Sequence, residues 1–162
     1  MKKAGLLITP MAASDLALAV EVEQDTLSAW GSHDFTSELE QPGAVLFVAK
    51  NQQTGEFLGH ICARTGVGEA EIMKLSVRES ARRQGFCAGL LKHFLDFLRS
   101  REVALCYLEL RASNQAGLAL YKKNGFIETG FRKKYYSAPE EPAILMTNTL
   151  RDLYHNSHEV IL

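Results

Sequence analysis

The feature that most limits the fold is a change of hydrophobic period in mid-chain. Residues 70–77 (AEIMKLSV) read as a strand, residues 78–85 are polar and end in Gly85, and residues 86–100 carry Leu90, Leu91, Phe94, Leu95 and Leu98 at helical spacing. A strand that passes through a glycine-containing turn into an amphipathic helix must belong to a sheet covered by that helix. The turn also leaves unsatisfied backbone N–H groups at the helix start, a layout suited to an anion.

The flanking segments extend this pattern. Residues 5–9 look like a strand, and Ser14-Asp15 can cap a helix with Leu16, Ala19, Val20 and Val22 as its apolar positions. Residues 27–41, which include Trp30, are less periodic and read as a loop plus a short helix. Residues 44–50, 56–64 and 70–77, separated by turn-forming residues 51–55 and 66–68, predict an antiparallel meander. Beyond the helix, residues 104–110 (ALCYLEL) form a buried-looking strand, and residues 115–123 a second helix stopped by Asn124-Gly125. Strand-like segments follow at 126–130, 131–136 and 143–150, around a loop containing Pro139 and Pro142. The order argues for an α/β (α+β) fold with one central mixed sheet and helices on both faces. At 162 residues the chain has room for one domain, expected over 1–150, and a tail, 151–162, that reads as a short helix or loose end.

Composition narrows the function classes. With 46% hydrophobic and 23% charged residues and a net charge of -1, the chain is neither disordered nor strongly basic, and nothing points to nucleic acid. Pro10, Asp15 and Glu21 interrupt the N-terminal apolar stretch before a signal-peptide core forms, and no apolar run reaches the ~18–20 residues of a membrane helix. Cys62, Cys87 and Cys106 are odd in number and lack CxxC spacing, which predicts a reduced, cytoplasmic protein. His155 and His158 have no further ligands near them in sequence to complete a metal shell, so no metal is expected. His33, His60 and His93 receive no role.

The strongest local signal is Arg82-Arg83-Gln84-Gly85-Phe86-Cys87-Ala88-Gly89. Its small residues let backbone N–H groups approach a ligand, and its arginines suit phosphate oxygens, so a pyrophosphate fits. On this segment alone, an ordinary glycine turn with two solvated arginines is an equally good reading. The spacing is not that of a Walker A loop.

Two motifs resemble a known family. Arg82-x-x-Gly85-x-Cys87-Ala88 is similar to the acetyl-CoA pyrophosphate loop of the GNAT superfamily, Q/R-x-x-G-x-G/A, with Cys87 departing from its last position. Residues 108–126 (LELRASNQAGLALYKKNGF) resemble the LEVRASN…A…LY…GF block of the RimI-like ribosomal-protein N-terminal acetyltransferases. Residues 130–136 (GFRKKYY) resemble that group's G-x-R-x-x-Y-Y segment. Trp30 stands where it places a proline-tryptophan loop, although Ala29 replaces the proline. The resemblance covers residues 6–150 and is densest between Ala70 and Tyr136.

It implies a GNAT fold, a mixed, mostly antiparallel sheet of about seven strands. It also implies that Leu75, Ser76 and Val77 bind the pantetheine arm of acetyl-CoA through their backbone, with one N–H polarising the thioester carbonyl. The coenzyme contacts would be completed by Arg82, Arg83, Gln84, Gly85, Phe86, Cys87, Ala88, Gly89 and Asn114, the last also a natural N-cap. Glu109, the one acidic residue of its strand, becomes the general base, with burial raising its pKa; without the family it reads as a solvent-facing residue or a partner of Arg111. Tyr121, otherwise a core tyrosine, becomes the acid that protonates the departing thiolate. Trp30, Tyr135 and Tyr136 would flank the acceptor. Cys87 is rejected as a nucleophile, because no histidine lies near it in sequence and direct transfer needs no covalent relay.

The implied reaction is acetylation of a protein N-terminal amine, the acceptor being the N-terminal alanine of a small-subunit ribosomal protein presented as an extended strand. Two other readings stay open. One is an acetyltransferase for a small amine or antibiotic, and the other is a non-catalytic acetyl-CoA sensor. Retention of both a candidate acid and a candidate base argues against the sensor. Oligomeric state cannot be read from the sequence.

Overall fold

The computed structural model describes residues 5–150; the tail at 151–162, with His155 and His158, lies outside the described residues. The described residues form seven strands and four α-helices in the order β1 Leu6–Pro10, α1 Leu16–Glu23, α2 Ser32–Leu39, β2 Ala44–Asn51, β3 Phe57–Thr65, β4 Glu69–Val77, α3 Phe86–Ser100, β5 Leu105–Arg111, α4 Gln115–Lys123, β6 Ile127–Tyr136 and β7 Glu141–Thr149. They form one sheet in the order β1-β2-β3-β4-β5-β7-β6. β1 to β4 are antiparallel neighbours, as are β5, β7 and β6, so the expected meander is present. The parallel pair is β4 with β5, joined across α3.

That pair positions the site. It is in register only from Glu69↔Leu105 to Ile72↔Leu108, after which the two strands part. β4 departs where its pairing with β3 skips Met73, since Cys62 faces Lys74 and Ala63 faces Ile72. The extra residue is a β-bulge, which bends the strand and increases its twist. Past the bulge, β4 keeps β3 on one edge and has lost β5 on the other. Backbone polar groups along Leu75, Ser76 and Val77 therefore border an opening in the middle of the sheet.

Two apolar layers hold this arrangement. On one face Leu90, Leu91, Phe94, Leu95 and Leu98 of α3 are buried against Ile61, Ala63, Ile72 and Leu108. Each such side chain contributes about 1.5–3 kcal/mol relative to exposure. On the other face Ala19, Val22 and Phe35 from α1 and α2 pack on Leu46, Val48 and Cys62. Among the described residues, no helix is long and apolar enough to cross a membrane.

Local chemistry explains the boundaries. Asn114 caps α4, its Oδ1 accepting from Gly117 N at 2.9 Å, and Gly125 at φ 93° ends the helix in the left-handed region that glycine tolerates. At α1 the outcome differs from the expected Ser14-Asp15 cap. A short 3-10 turn, Ala13–Asp15, leads into the helix, and Asp15 accepts from Ala12 N at 2.9 Å while pairing with Lys50 at 2.8 Å. Residues 126–130 and 131–136, expected as separate segments, are joined in the single strand β6, which begins at Ile127 with Phe126 just before it. Its pairing with β7 shifts between Glu128 and Gly130, which interrupts the alternation visible in sequence.

Candidate active site

Where β4 and β5 part, two cavities adjoin. The larger, about 700 Å³, is lined by Leu75, Ser76 and Val77 of β4, by Arg82, Arg83, Gly85, Phe86, Cys87 and Ala88, and by Asn114 and Tyr121. The smaller, about 390 Å³, lies toward Leu27, Ser28, Glu109, Arg111 and Tyr136. Thr26, Leu75, Ser76, Asn114 and Tyr121 line both, so these residues mark the junction.

The larger cavity fits a pyrophosphate-bearing coenzyme. Gly85 precedes α3 at φ 82° and Arg83 is also left-handed at φ 61°, which turns the chain sharply out of β4 into the helix. No atom lies within 4 Å of where a Cβ on Gly85 would sit, so the backbone is open to a ligand there. Phe86, Cys87 and Ala88 belong to the first helical turn, whose N–H groups have no intrahelical partner. Arg82 is steadied by donating from Nε to Val77 O at 3.3 Å. Gln84 and Gly89, expected as coenzyme contacts, do not line the cavity. Gln84 donates its side-chain N–H to Ser80 O at 3.0 Å, and a Cβ on Gly89 would sit 2.8 Å from a Leu6 methyl, so this glycine lets α3 pack against β1.

Tyr121 is buried at the junction, its ring edge-on to Phe126 at 5.3 Å. Burial holds its phenol far above the ordinary tyrosine range, with the Cys87 and Cys106 thiols adding to the effect, so it keeps its proton. Burial likewise pushes the Cys87 thiol up to about 11 against the opposing pull of Arg82, which keeps it a poor nucleophile.

Glu109 borders only the smaller cavity. Its side chain is 20% exposed and pairs with Arg132 Nη1 at 3.3 Å, so it is less buried than its apolar strand implies. Arg111 is not its ion-pair partner, because that guanidinium turns to Glu141 at 3.5 Å. Burial, followed by the charge of Glu109, raises the neighbouring Glu71 carboxyl above its ordinary value. Tyr136, expected to flank the acceptor, lines the smaller cavity, whereas Tyr135 and Trp30 do not. Tyr135 stacks edge-on against Tyr136 at 5.0 Å, and Trp30 against Phe35 at 5.3 Å.

Sequence reasoning missed Glu23. It is fully buried at the end of α1 and accepts from Ser76 Oγ at 2.6 Å, Trp30 N at 3.2 Å and Thr26 Oγ1 at 3.1 Å, with His60 Nε2 at 2.9 Å and Lys74 Nζ at 3.4 Å. Burial alone would raise its carboxyl, but bonds from His60 and Ser76 and the charge of Lys74 outweigh it and lower the pKa to about 2. This one carboxylate ties the Trp30 loop to the strand bordering both cavities. The available signal was its place four residues after Ala19, on the apolar stripe of α1.

Comparisons with known proteins agree with this geometry. Residues 16–126 match the acetyltransferase (GNAT) family. The [ribosomal protein bS18]-alanine N-acetyltransferase of Escherichia coli K12 is 32% identical over 142 residues, covering 86% of this chain and 94% of that one. The N-alpha-acetyltransferase RimI of Mycobacterium tuberculosis is 32% identical over 121 residues, covering 72% and 73%. The crystal structure of the ribosomal-protein-S18-alanine N-acetyltransferase from Escherichia coli superposes with a TM-score of 0.84 at 30% identity, covering 94% of this chain and 98% of that one. A cavity that suits a pyrophosphate, joined at Tyr121 to one that contains a carboxylate, has the ancestry its shape suggests: the chain belongs to the GNAT family and is an acetyl-CoA-dependent N-acetyltransferase.

Proposed function

We propose that the protein transfers acetyl from acetyl-CoA directly to the α-amine of a protein N-terminus, the acceptor being the N-terminal alanine of a small-subunit ribosomal protein. The observation that carries this reading is the division of labour at the junction. The protonated phenol of Tyr121 borders both cavities, and the Glu109 carboxylate borders only the one away from the coenzyme loop, where Asp25 lines the other. The relatives named for alanine acetylation support the choice of acceptor.

Acetyl-CoA supplies an activated thioester. Leu75, Ser76 and Val77 hold its arm along the free edge of β4, and the start of α3, with Arg82 and Arg83, holds its phosphates. An α-amine has a pKa of about 7.7–8.0, so most of it arrives protonated at neutral pH. Glu109 takes one of its protons, directly or through a water, and frees the lone pair for attack on the acetyl carbon. Tyr121 gives its proton to the sulfur as the C–S bond breaks, and the second proton lost by the amine nitrogen restores the phenol, so that one proton, held by Glu109, is released overall. Tyr136 lines the wall against which the acceptor lies, and Trp30 and Tyr135 act on residues further along the peptide.

Incubation with acetyl-CoA and a peptide bearing a free N-terminal Ala-Arg, followed by thiol release and peptide mass, tests the proposal. One acetyl group on the α-amine is expected. Transfer to small amines but not to the peptide would replace the acceptor, and coenzyme binding without transfer to either would leave a sensor.

A further inference from the structure

The smaller cavity, which takes the acceptor, is lined by Thr26, Leu27 and Ser28 of the loop between α1 and α2 and by Tyr136, from which the loop 137–140 leads to β7, and both loops converge on Arg111, itself in the lining. Only 8% exposed at the end of β5, Arg111 donates from Nη2 to Ser28 Oγ at 2.7 Å and Ser137 O at 3.3 Å, and from Nη1 to Pro139 O at 3.0 Å. Its guanidinium lies 4.5 Å from the centre of the Tyr136 ring. Glu141, its ion-pair partner, also accepts from Ser113 Oγ at 2.9 Å.

Two independent observations show that these contacts hold the loops where they would not otherwise rest. Ser28 at φ 59° and Ala138 at φ 55° are left-handed non-glycine residues, one in each loop. Ser28 is fixed at both ends, by Arg111 and by Lys74 Nζ on its carbonyl at 2.5 Å, while Ala138 sits between the two carbonyls that Arg111 binds. Such conformations are strained for residues with a Cβ and persist only where the surroundings impose them. The second observation is that Arg111 Nε is buried with no partner among the described residues. A buried donor is left unpaired when the rest of the group is needed elsewhere. Here the fork reaches both loops at the expense of its third nitrogen.

We infer that Arg111 is a positioning residue that sets the acceptor cavity by holding its two opposing loops, and so governs acceptor binding without governing coenzyme binding. This rests on the N-terminal acetylation reading. Lysine at this position keeps the charge but loses the planar fork that serves both loops at once. For Arg111→Lys the acceptor-peptide KM should rise by about tenfold or more while kcat stays within about threefold and acetyl-CoA affinity within about twofold. Ser28→Ala, which removes one of the fork's acceptors, should move the acceptor KM the same way by a few-fold.

Amide exchange reads the same claim without activity. In Arg111→Lys, residues 26–30 and 137–140 should lose protection while residues 47–49 and 60–62 keep theirs. An unchanged acceptor KM with unchanged exchange in both loops overturns the inference. Loss of protection throughout, together with lost coenzyme affinity, overturns it as well, because Arg111 would then be a general determinant of the fold. If the wild type acetylates no peptide, the proposed function fails, and loop exchange alone decides the role of Arg111.

Discussion

The two cavities are built on opposite principles. The coenzyme side is local: β4, the turn through Gly85 and the first turn of α3 are consecutive in sequence, and their ligand-facing groups are largely backbone N–H and small side chains. The acceptor side is assembled from afar. Glu23 reaches Ser76 across 53 positions, and Arg111 reaches Ser28 across 83. A backbone site varies little so long as the turn is kept, whereas a site built from long-range side-chain bonds can be reshaped by single substitutions.

The sharpest tests change one side and measure both. The largest effects belong to the two groups proposed to react: Glu109→Gln and Tyr121→Phe should each lower kcat by about 10²–10⁴, with acetyl-CoA affinity measured by calorimetry unchanged. A normal kcat in either variant removes that residue from the mechanism.

Glu23→Gln comes next, and its signature is in stability. The Glu23 carboxyl is lowered from 4.5 to about 2, so its contribution is complete above pH 4.5 and is lost as pH falls toward 2. The shift corresponds to about 3 kcal/mol. Denaturant melts from pH 6 to 2 should show the wild type losing that increment, with the variant lower at pH 6 and flatter across the window. Parallel curves would mean that Glu23 is not the group responsible.

A smaller change tests the backbone side. Gly85→Ala forces a side chain into φ 82°, and should cost about 1 kcal/mol of stability and raise the acetyl-CoA KM several-fold while sparing the acceptor KM. Cys87→Ala should change neither KM nor kcat by more than about twofold, since its thiol stays protonated. A large loss of kcat there would revive a covalent route.

The same contrast explains what was legible in sequence. α3 and α4 begin and end where periodicity, Gly85, Asn114 and Asn124-Gly125 place them, because helix signals are written within a few residues. The anion loop was legible for the same reason. β6 looked broken because a register shift near Thr129 scrambles its alternation, and a bulge is defined by the partner strand. Glu23 reads as the polar end of a helix until Ser76, His60 and Lys74 arrive from β3 and β4. Adjacency groups Gln84 and Gly89 with the loop, but the Gln84 side chain turns to Ser80 O, Gly89 makes room for Leu6, and neither lines the cavity.

The short seam between β4 and β5 also bears on how the protein is made. Four residue pairs, separated by 36 positions in sequence, join the meander to the β5–β7–β6 half of the sheet. Local hairpins close early and distant parallel pairings late, because loop closure must precede their reward. We therefore expect the seam to zip after the β2–β3–β4 hairpins, leaving a partly folded chain unable to bind acetyl-CoA until β5 has docked. Pulse-labelled amide exchange would reveal the order: protection at Ile72 and Leu108 should trail that at Phe47 and Ile61, and simultaneous protection would refute it.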